Sequence, residues 1–374
     1  MSAICAACGL ADNRLDGYCR ACGGIRLVQE PTPARDQLSP AQEATPVRPS
    51  RVPGLEGVLM KLEGINPTGS FKDRVMAVLV AEAGRADVAG AVVASSGNAA
   101  VAASAACAAA ALPLLVVVPA TTPDQRVLPA ALRGATIVRV DAEVSRIHAL
   151  SARLAGSFGL ANLSSTFAAP GCEWACRQIG RELAEQVSGP ITHLVAPVSA
   201  GPVLIGAGHG LRQAGRPAPS MVAAQATGCA PIAEAFAAGW AKVAPWSRQI
   251  TTRAAAIADT LAAYPQDGTF TLERVRASGG FAAAVTDDEL EQMRQDLAVF
   301  DGVDVELSSC AAPAVWRRHQ PAGKAGGVVC VLTGNGLKDT LTGQARPAPT
   351  VSDYAAATGT GPPLVEEVAR WPAA

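Results

Sequence analysis

One recurring order constrains the fold of this chain more than any other feature. A short apolar run comes first, then a small polar loop bearing glycine, then a stretch with helical periodicity. Residues 57–62, 91–94, 114–118, 136–140, 191–197, 221–225 and 328–332 are runs rich in Val, Leu, Ile and Ala and of strand length. Residues 71–83, 142–155 and 204–213 carry the helical pattern, and an alanine-rich helix follows residue 98. Strands apolar on both faces and alternating with helices predict an α/β class chain with parallel, doubly wound sheet. Ligands of such sheets bind outside the carboxyl ends of the strands. The polar segments 66–70, 95–98, 199–201 and 333–336 all fall at that end, which points to one active site.

The chain has 374 residues, enough for two or three domains and a sizeable core. Apolar residues make up 49% but aromatics only 4%, so the core is expected to pack alanine-rich helices closely on aliphatic strands. A net charge of −1 gives no basic surface for nucleic acid or an anionic membrane. The start Met1-Ser2-Ala3-Ile4-Cys5 has no basic region followed by an apolar segment, and a cytoplasmic protein is expected. The apolar stretch 99–119 is interrupted by Ser104, Cys107 and Pro113 and reads as core, so no membrane partner is expected.

Ten cysteines without a secretory context argue for metal and buried thiols rather than disulfides. Cys5-x-x-Cys8 and Cys19-x-x-Cys22 are each followed by glycine, Gly9 and Gly23. Two such knuckles deliver four thiolates to one tetrahedral zinc. A segment this short builds no core of its own, so the metal supplies the folding energy. Four thiolates leave no open position for water, and the role is structural; a redox dithiol pair is the alternative that two symmetric knuckles disfavour. The zinc ribbon covers residues 1–29. Residues 30–53 shift to Pro, Gln, Arg, Ser and Thr and read as a linker.

Residues 66–74 read Asn-Pro-Thr-Gly-Ser-Phe-Lys-Asp-Arg. A turn leads to Ser70, a suitable N-cap, and then to the helix, placing Lys72 in the first turn. The positive end of the peptide dipoles disfavours an ammonium there, and a neutral amine forms a Schiff base with an aldehyde. Taken alone, a lysine in a first turn is more often a solvated surface charge. Ser95-Ser96-Gly97-Asn98 joins a strand to a helix N-terminus, an anion site suited to a carboxylate, though also an ordinary N-cap sequence. Ser199-Ala200-Gly201 does the same after strand 191–197. Its small residues let the backbone close on a phosphate, while Pro202 has no N–H to give. Thr333-Gly334-Asn335-Gly336 reads by itself as a surface turn.

Together these segments resemble the threonine synthase branch of the fold-type II pyridoxal-phosphate enzymes, in the tryptophan synthase β superfamily. The nonapeptide 66–74 and the heptapeptide 333–339 carry the likeness most specifically, over roughly residues 54–342. The resemblance implies two doubly wound parallel-sheet domains with pyridoxal 5'-phosphate between them, and a homodimer. The large cofactor-binding domain takes residues 54–84 and 190–345, the small substrate domain 85–189, and a C-terminal tail 346–374. It implies that Lys72 is the cofactor lysine and base, that Asn98 holds the ring oxygen, and that Thr333 faces the pyridine nitrogen. Ser199 and the amides of Ala200, Gly201, Val203 and Leu204 are expected on the phosphate, and Ser95, Ser96, Gly97 and Asn98 on the carboxylate of a small amino-acid substrate. Residues 305–309, Val-Glu-Leu-Ser-Ser, look like the family's segment beside the ring, with Leu307 replacing proline. A neutral hydroxyl at the ring nitrogen favours elimination or replacement at the β- or γ-carbon over transamination.

One segment departs from the pattern. Where threonine synthases carry Arg-x-Glu-Gly-Gln-Lys-Thr for the substrate phosphate, this chain has Ala168-Ala169-Pro170-Gly171-Cys172-Glu173-Trp174. Both cations are gone, and charge-assisted bonds worth about 1.5–3 kcal/mol each go with them. The expected function is therefore a threonine synthase-like lyase whose substrate is not O-phosphohomoserine. A genuine threonine synthase, a non-catalytic cofactor-binding relative, and a zinc-ribbon docking protein are the alternatives. His148, His193, His209 and His319 lie in no motif and are expected to be structural. Cys172 and Cys176, at i, i+4 spacing, lack partners for a second metal.

Overall fold

A computed structural model describes residues 2–29 (apart from 13, 15 and 16), 43–320 (apart from 87 and 143), 326–337 and 350–351. The chain divides into two compact units. One contains Met1–Ala41, Lys72–Cys172 and Leu341–Ala374, the other Gln42–Phe71 and Glu173–Thr340. The sequence reading placed the boundaries at 84/85 and 189/190. The strand residues it named nonetheless recur within a few positions, because each is a buried parallel strand.

The first unit begins with a three-stranded antiparallel ribbon. Strand β1 (Ala3–Cys5) lies between β2 (Ala11–Asp12) and β3 (Arg26–Val28). Both cysteine knuckles close in the same way. The amide of Gly9 donates to Cys5 O at 3.0 Å, and that of Gly23 to Cys19 O at 2.8 Å. Both glycines have positive φ, 73° and 71°, which no other residue adopts as readily. The same unit holds a five-stranded parallel sheet in the order β14-β8-β7-β6-β9, formed by Thr350–Val351, Thr136–Val140, Leu114–Pro119, Gly90–Ala94 and Leu160–Asn162. Thr350 and Val351 fall in the expected tail; the rest of that tail lies outside the described residues. Helices α1 (Lys72–Ala83), α2 (Asn98–Ala109), α3 (Asp124–Ala131) and α4 (Val144–Phe158) complete the unit. Val92, Leu115, Val117 and Val138 of the sheet pack with Ile147, Leu150 and Leu154 of α4.

The second unit is built on a six-stranded sheet, ordered β12-β11-β10-β13-β5-β4. These strands are Phe281–Val285, Ser220–Ala226, His193–Pro197, Val328–Leu332, Val58–Leu62 and Val47–Pro49. All neighbours are parallel except β4, which runs antiparallel to β5. Residues 43–53, expected as linker, thus include a sheet edge; residues 30–42 lie outside the described ones. Helices α5 (Pro170–Gln186), α6 (Pro202–Gln213), α7 (Pro231–Ala237), α8 (Pro265–Ala277), α9 (Asp287–Asp296) and α10 (Ala311–His319) follow the chain. Val58, Met60, Val195, Cys330 and Leu332 share one core with Leu290, Met293, Val315 and Trp316. Among the described residues no helix is long and apolar enough to cross a membrane.

Candidate active site

Lys72 is the first residue of α1, as its sequence context predicts, but Ser70 does not cap the helix. Ser70 pairs instead in an isolated bridge with Gly334, and its hydroxyl is buried without a hydrogen-bond partner. A tertiary pairing has overridden the local capping preference. Lys72 Nζ donates to Ser165 Oγ at 2.8 Å. Two side-chain turns hold the loop that carries Ser165. Asn162 Oδ1 accepts from the amide and hydroxyl of Ser164 at 3.2 and 2.7 Å, and Thr166 Oγ1 accepts from Ala168 N at 3.2 Å. The sequence reading missed Ser165; a loop after a three-residue strand carries no periodic signal to mark it.

In the same unit Ser95, Ser96, Gly97 and Asn98 are half-buried at the carboxyl end of β6. Asn98 opens α2 with Gly97 at the N-cap, and no side chain caps this helix. The amide of Gly97 donates to Ser95 Oγ at 3.2 Å, a bond within the expected carboxylate site.

In the second unit three polar segments meet at the carboxyl edge of adjacent strands, because β10, β13 and β5 are parallel neighbours. Phe71 N donates to Thr333 O at 3.0 Å, and the next residue in the chain is Lys72. Gly69 O accepts from Asn335 N at 2.9 Å, so the turn before the lysine is laced to the segment after β13. Thr333 Oγ1 lies 3.0 Å from Ser309 Oγ, and both residues are buried. The loop after β10 enters α6 with Gly201 at the N-cap, φ 116°, and no side-chain cap. A Cβ there would strike the Thr271 side chain, whose hydroxyl donates to Ala200 O at 2.6 Å. Among the described residues no backbone acceptor takes the amides of Ala200, Gly201 or Val203. The amide of Leu204, also expected on the phosphate, donates to Gly201 O at 3.1 Å.

A third buried network lies behind the turn. Lys61 Nζ donates to Glu182 Oε2 at 2.6 Å, to Thr45 O at 2.7 Å and to Gln186 Oε1 at 2.9 Å. Thr45 Oγ1 in turn donates to Glu63 Oε1 at 2.6 Å, and Asn66 Nδ2 to Glu63 Oε2 at 2.9 Å. Asn66 O accepts from Gly69 N at 2.7 Å. The turn preceding Lys72 is therefore tied into α5 and β5 by buried polar groups.

The segment that departs from the family pattern contains a further surprise. The Glu173 carboxylate accepts from Arg177 Nε at 3.0 Å and Nη2 at 2.8 Å, and lies 2.8 Å from His209 Nδ1. Burial opposes its ionisation, but His209 and the Arg177 guanidinium outweigh it and hold the carboxyl below its usual range. Glu173 is thus committed to joining α5 and α6. Gly206 and Gly210 let these helices touch, since a Cβ at either would strike the α5 backbone. The His193 ring packs against that of Trp316, with centroids 4.8 Å apart and planes tilted by 50°. Cys172 and Cys176 are buried, and burial pushes the Cys310 and Cys330 thiols far up, which makes them inert.

The matching family model is described as "Pyridoxal-phosphate dependent enzyme" and spans residues 38–334. The chain belongs to this family. It is 31% identical over 299 residues to a threonine synthase of Methanosarcina acetivorans, covering 77% of this chain and 72% of that protein. A threonine synthase of Halalkalibacterium halodurans is 30% identical over 296 residues, covering 76% and 78%. The fold is shared with maize serine racemase, with a TM-score of 0.67 at 20% identity over 81% of this chain and 91% of that one. Threonine deaminase isoform 2 from Solanum lycopersicum gives 0.64 at 17% identity over 78% and 84%. These likenesses agree with the sequence resemblance to fold-type II pyridoxal-phosphate enzymes.

The residues present fit the cofactor. A lysine stands at a helix start, a buried hydroxyl at Ser70 has no partner, and the uncapped N-terminus of α6 offers amides to a phosphate. The ribbon fits a metal ion equally well. The sulfurs of Cys5, Cys8, Cys19 and Cys22 all lie within 4.8 Å of one another, with Cys5–Cys22 at 3.5 Å and Cys8–Cys19 at 3.6 Å. Tetrahedral zinc–thiolate geometry sets sulfurs about 3.8 Å apart.

Proposed function

We propose that this enzyme is a lyase acting on the β- or γ-carbon of an amino acid, by elimination or replacement, on a substrate other than O-phosphohomoserine. Lys72, positioned at the start of α1 with its amine on the Ser165 hydroxyl, carries the reading. Pyridoxal phosphate, when bound, supplies an aldehyde that captures amines and a ring that accepts electrons from a substrate carbanion. Lys72 holds the cofactor and, once displaced, its Nζ takes the proton from the substrate Cα. Ser95, Ser96, Gly97 and Asn98 hold the substrate carboxylate, with Asn98 also on the cofactor's ring oxygen. Ser199 with the amides of Ala200, Gly201 and Val203 holds the cofactor phosphate, and the Thr333 hydroxyl faces the ring nitrogen. The four ribbon cysteines hold a structural zinc.

The substrate restriction follows from Ala168, which offers no charge, and from Glu173, whose carboxylate serves Arg177 and His209. Serine, threonine or an O-activated serine suits such a wall better than a dianionic phosphate. The test is a screen of amino acids against the long-wavelength absorbance of the loaded protein, followed by product mass for each that shifts it. Threonine and phosphate released from O-phosphohomoserine at ordinary synthase rates would sink the substrate claim. That outcome is the second reading, a genuine threonine synthase, which the 31% identity favours. Lys72→Ala should abolish the band altogether, and borohydride reduction should label Lys72 alone in the parent protein.

A further inference from the structure

Three consecutive hydroxyls, on Ser164, Ser165 and Thr166, stand on the loop that runs from β9 to α5. Two of them are used within the loop. The Ser164 hydroxyl donates to Asn162 Oδ1 at 2.7 Å, and Thr166 Oγ1 accepts from Ala168 N at 3.2 Å. Both residues are buried. Ser165 is only half-buried, and among the described residues its side chain has one hydrogen bond, the one it accepts from Lys72 Nζ at 2.8 Å. Once Lys72 has taken a proton it is an ammonium, with three donors and no acceptor, so the direction of this bond is then fixed. The Ser165 proton is not used by the lysine, nor by any other group among the described residues. It is left for a molecule that enters beside Lys72.

Leaving groups differ in their need for such a proton. A phosphate, with a second pKa of about 6, leaves as a stable anion and is best met by cations. A hydroxyl would leave as hydroxide, the conjugate base of water at about 15.7, and has to be protonated as its bond breaks. The loop has no cation at Ala168 for the first kind and a donor at Ser165 for the second. We infer that Ser165 is a catalytic residue that protonates a hydroxyl departing from the substrate's β-carbon, which makes the substrate a β-hydroxy amino acid such as serine or threonine. The steps balance without a further reactant. The Cα–H bond breaks and its proton goes to Lys72 Nζ. The Cβ–O bond breaks with its electron pair on oxygen, leaving a Cα–Cβ double bond. That oxygen takes the Ser165 proton and departs as water. Ser165 Oγ recovers a proton from Lys72 Nζ across the 2.8 Å bond, and both residues end as they began.

This role rests on the proposed reading of a lyase with Lys72 as its base, and the two fail differently. The loaded protein is given L-serine or β-chloro-L-alanine, whose chloride leaves without a proton, and keto-acid release is followed. In Ser165→Ala, turnover of serine should fall about 100-fold or more, and that of β-chloroalanine less than about tenfold. Serine recovered from this variant in deuterium oxide should carry deuterium at Cα, since Lys72 still takes that proton while the hydroxyl stays. Binding gives a readout without turnover: the Kd of serine relative to that of alanine, followed by cofactor absorbance, should rise about threefold to tenfold. Ser165→Thr should recover most of each loss. If Ser165→Ala does not load with cofactor, the parent protein still decides, through a solvent isotope effect larger for serine than for β-chloroalanine. Equal losses with both substrates, and no deuterium in recovered serine, would overturn the proton-donor role and leave Ser165 as a support for Lys72. A parent protein that eliminates from β-chloroalanine but from neither serine nor threonine would overturn the role while the lyase reading stands. Elimination from none of the three would remove the lyase reading and the role together.

Discussion

The ribbon and the six-stranded unit solve the problem of stability in opposite ways. In the ribbon, eight strand residues and four crowded sulfurs enclose little apolar surface, and Arg26 is buried there against Asp12 and Gly17 O. The larger unit buries aliphatic strands against helices and holds the charged pairs Lys61–Glu182 and Arg177–Glu173 inside, each partner meeting the other. In the proposed reading the small module takes its stability from a bound ion, whereas the large one buries enough apolar surface to hold ion pairs of its own.

The largest effect should come from the ribbon. Removing zinc with a chelator, or changing Cys19→Ser, withdraws a contribution of about 10–16 kcal/mol, and the ribbon should lose its structure. The cofactor band should survive, as followed by metal analysis and absorbance on the same sample. Loss of that band together with the metal would break the contrast. Next comes Lys61→Ala, which leaves Glu182 buried without its ammonium and should cost about 3–5 kcal/mol, read from the midpoint of urea unfolding. Lys61→Met with Glu182→Leu should recover most of that loss, because the pair is replaced rather than broken.

A smaller effect belongs to acid. The folded-state carboxyl of Glu173 titrates below its ordinary value, so its contribution is fully present above pH about 4.5 and is lost as pH falls through the lower folded value. Urea unfolding between pH 6 and pH 3 should show stability falling over that window, and Glu173→Gln should flatten this part of the curve. The smallest effect is expected for cofactor capture by Ser165→Ala. Removing one acceptor from Lys72 should slow cofactor capture by the apoprotein about threefold to tenfold, followed by absorbance, without preventing it.

How much of this was legible in sequence depended on what each element buries. Strands β6 and β13 are apolar on both faces, β5 and β10 are apolar but for Lys61 and His193, and all four end at polar loops, so both their existence and their functional ends could be read. Strand β12 is Phe-Ala-Ala-Ala-Val, a string that carries neither period and could not be told from a helix. Strand β4 hid in a proline-bearing stretch because only its pairing with β5 makes it a strand. Lys72, Asn98 and Thr333 sit in contiguous motifs. Ser165 reaches Lys72 across 93 residues and the Lys61–Glu182 pair spans 121, and no local pattern encodes such distances. The commitment of Glu173 to Arg177 and His209 was invisible for the same reason: it depends on the α5–α6 packing that brings His209 within reach.

Strand β4 has a consequence for solubility. It is three residues long, its Arg48 and Pro49 are exposed, and Pro49 has no amide to offer a passing strand. It thereby covers β5, whose Val58, Met60 and Leu62 would otherwise form a bare apolar edge open to pairing with another molecule. Trimming the chain to residue 30 spares this guard, whereas trimming it to residue 53 would remove it and leave the β5 edge open to strands of another molecule.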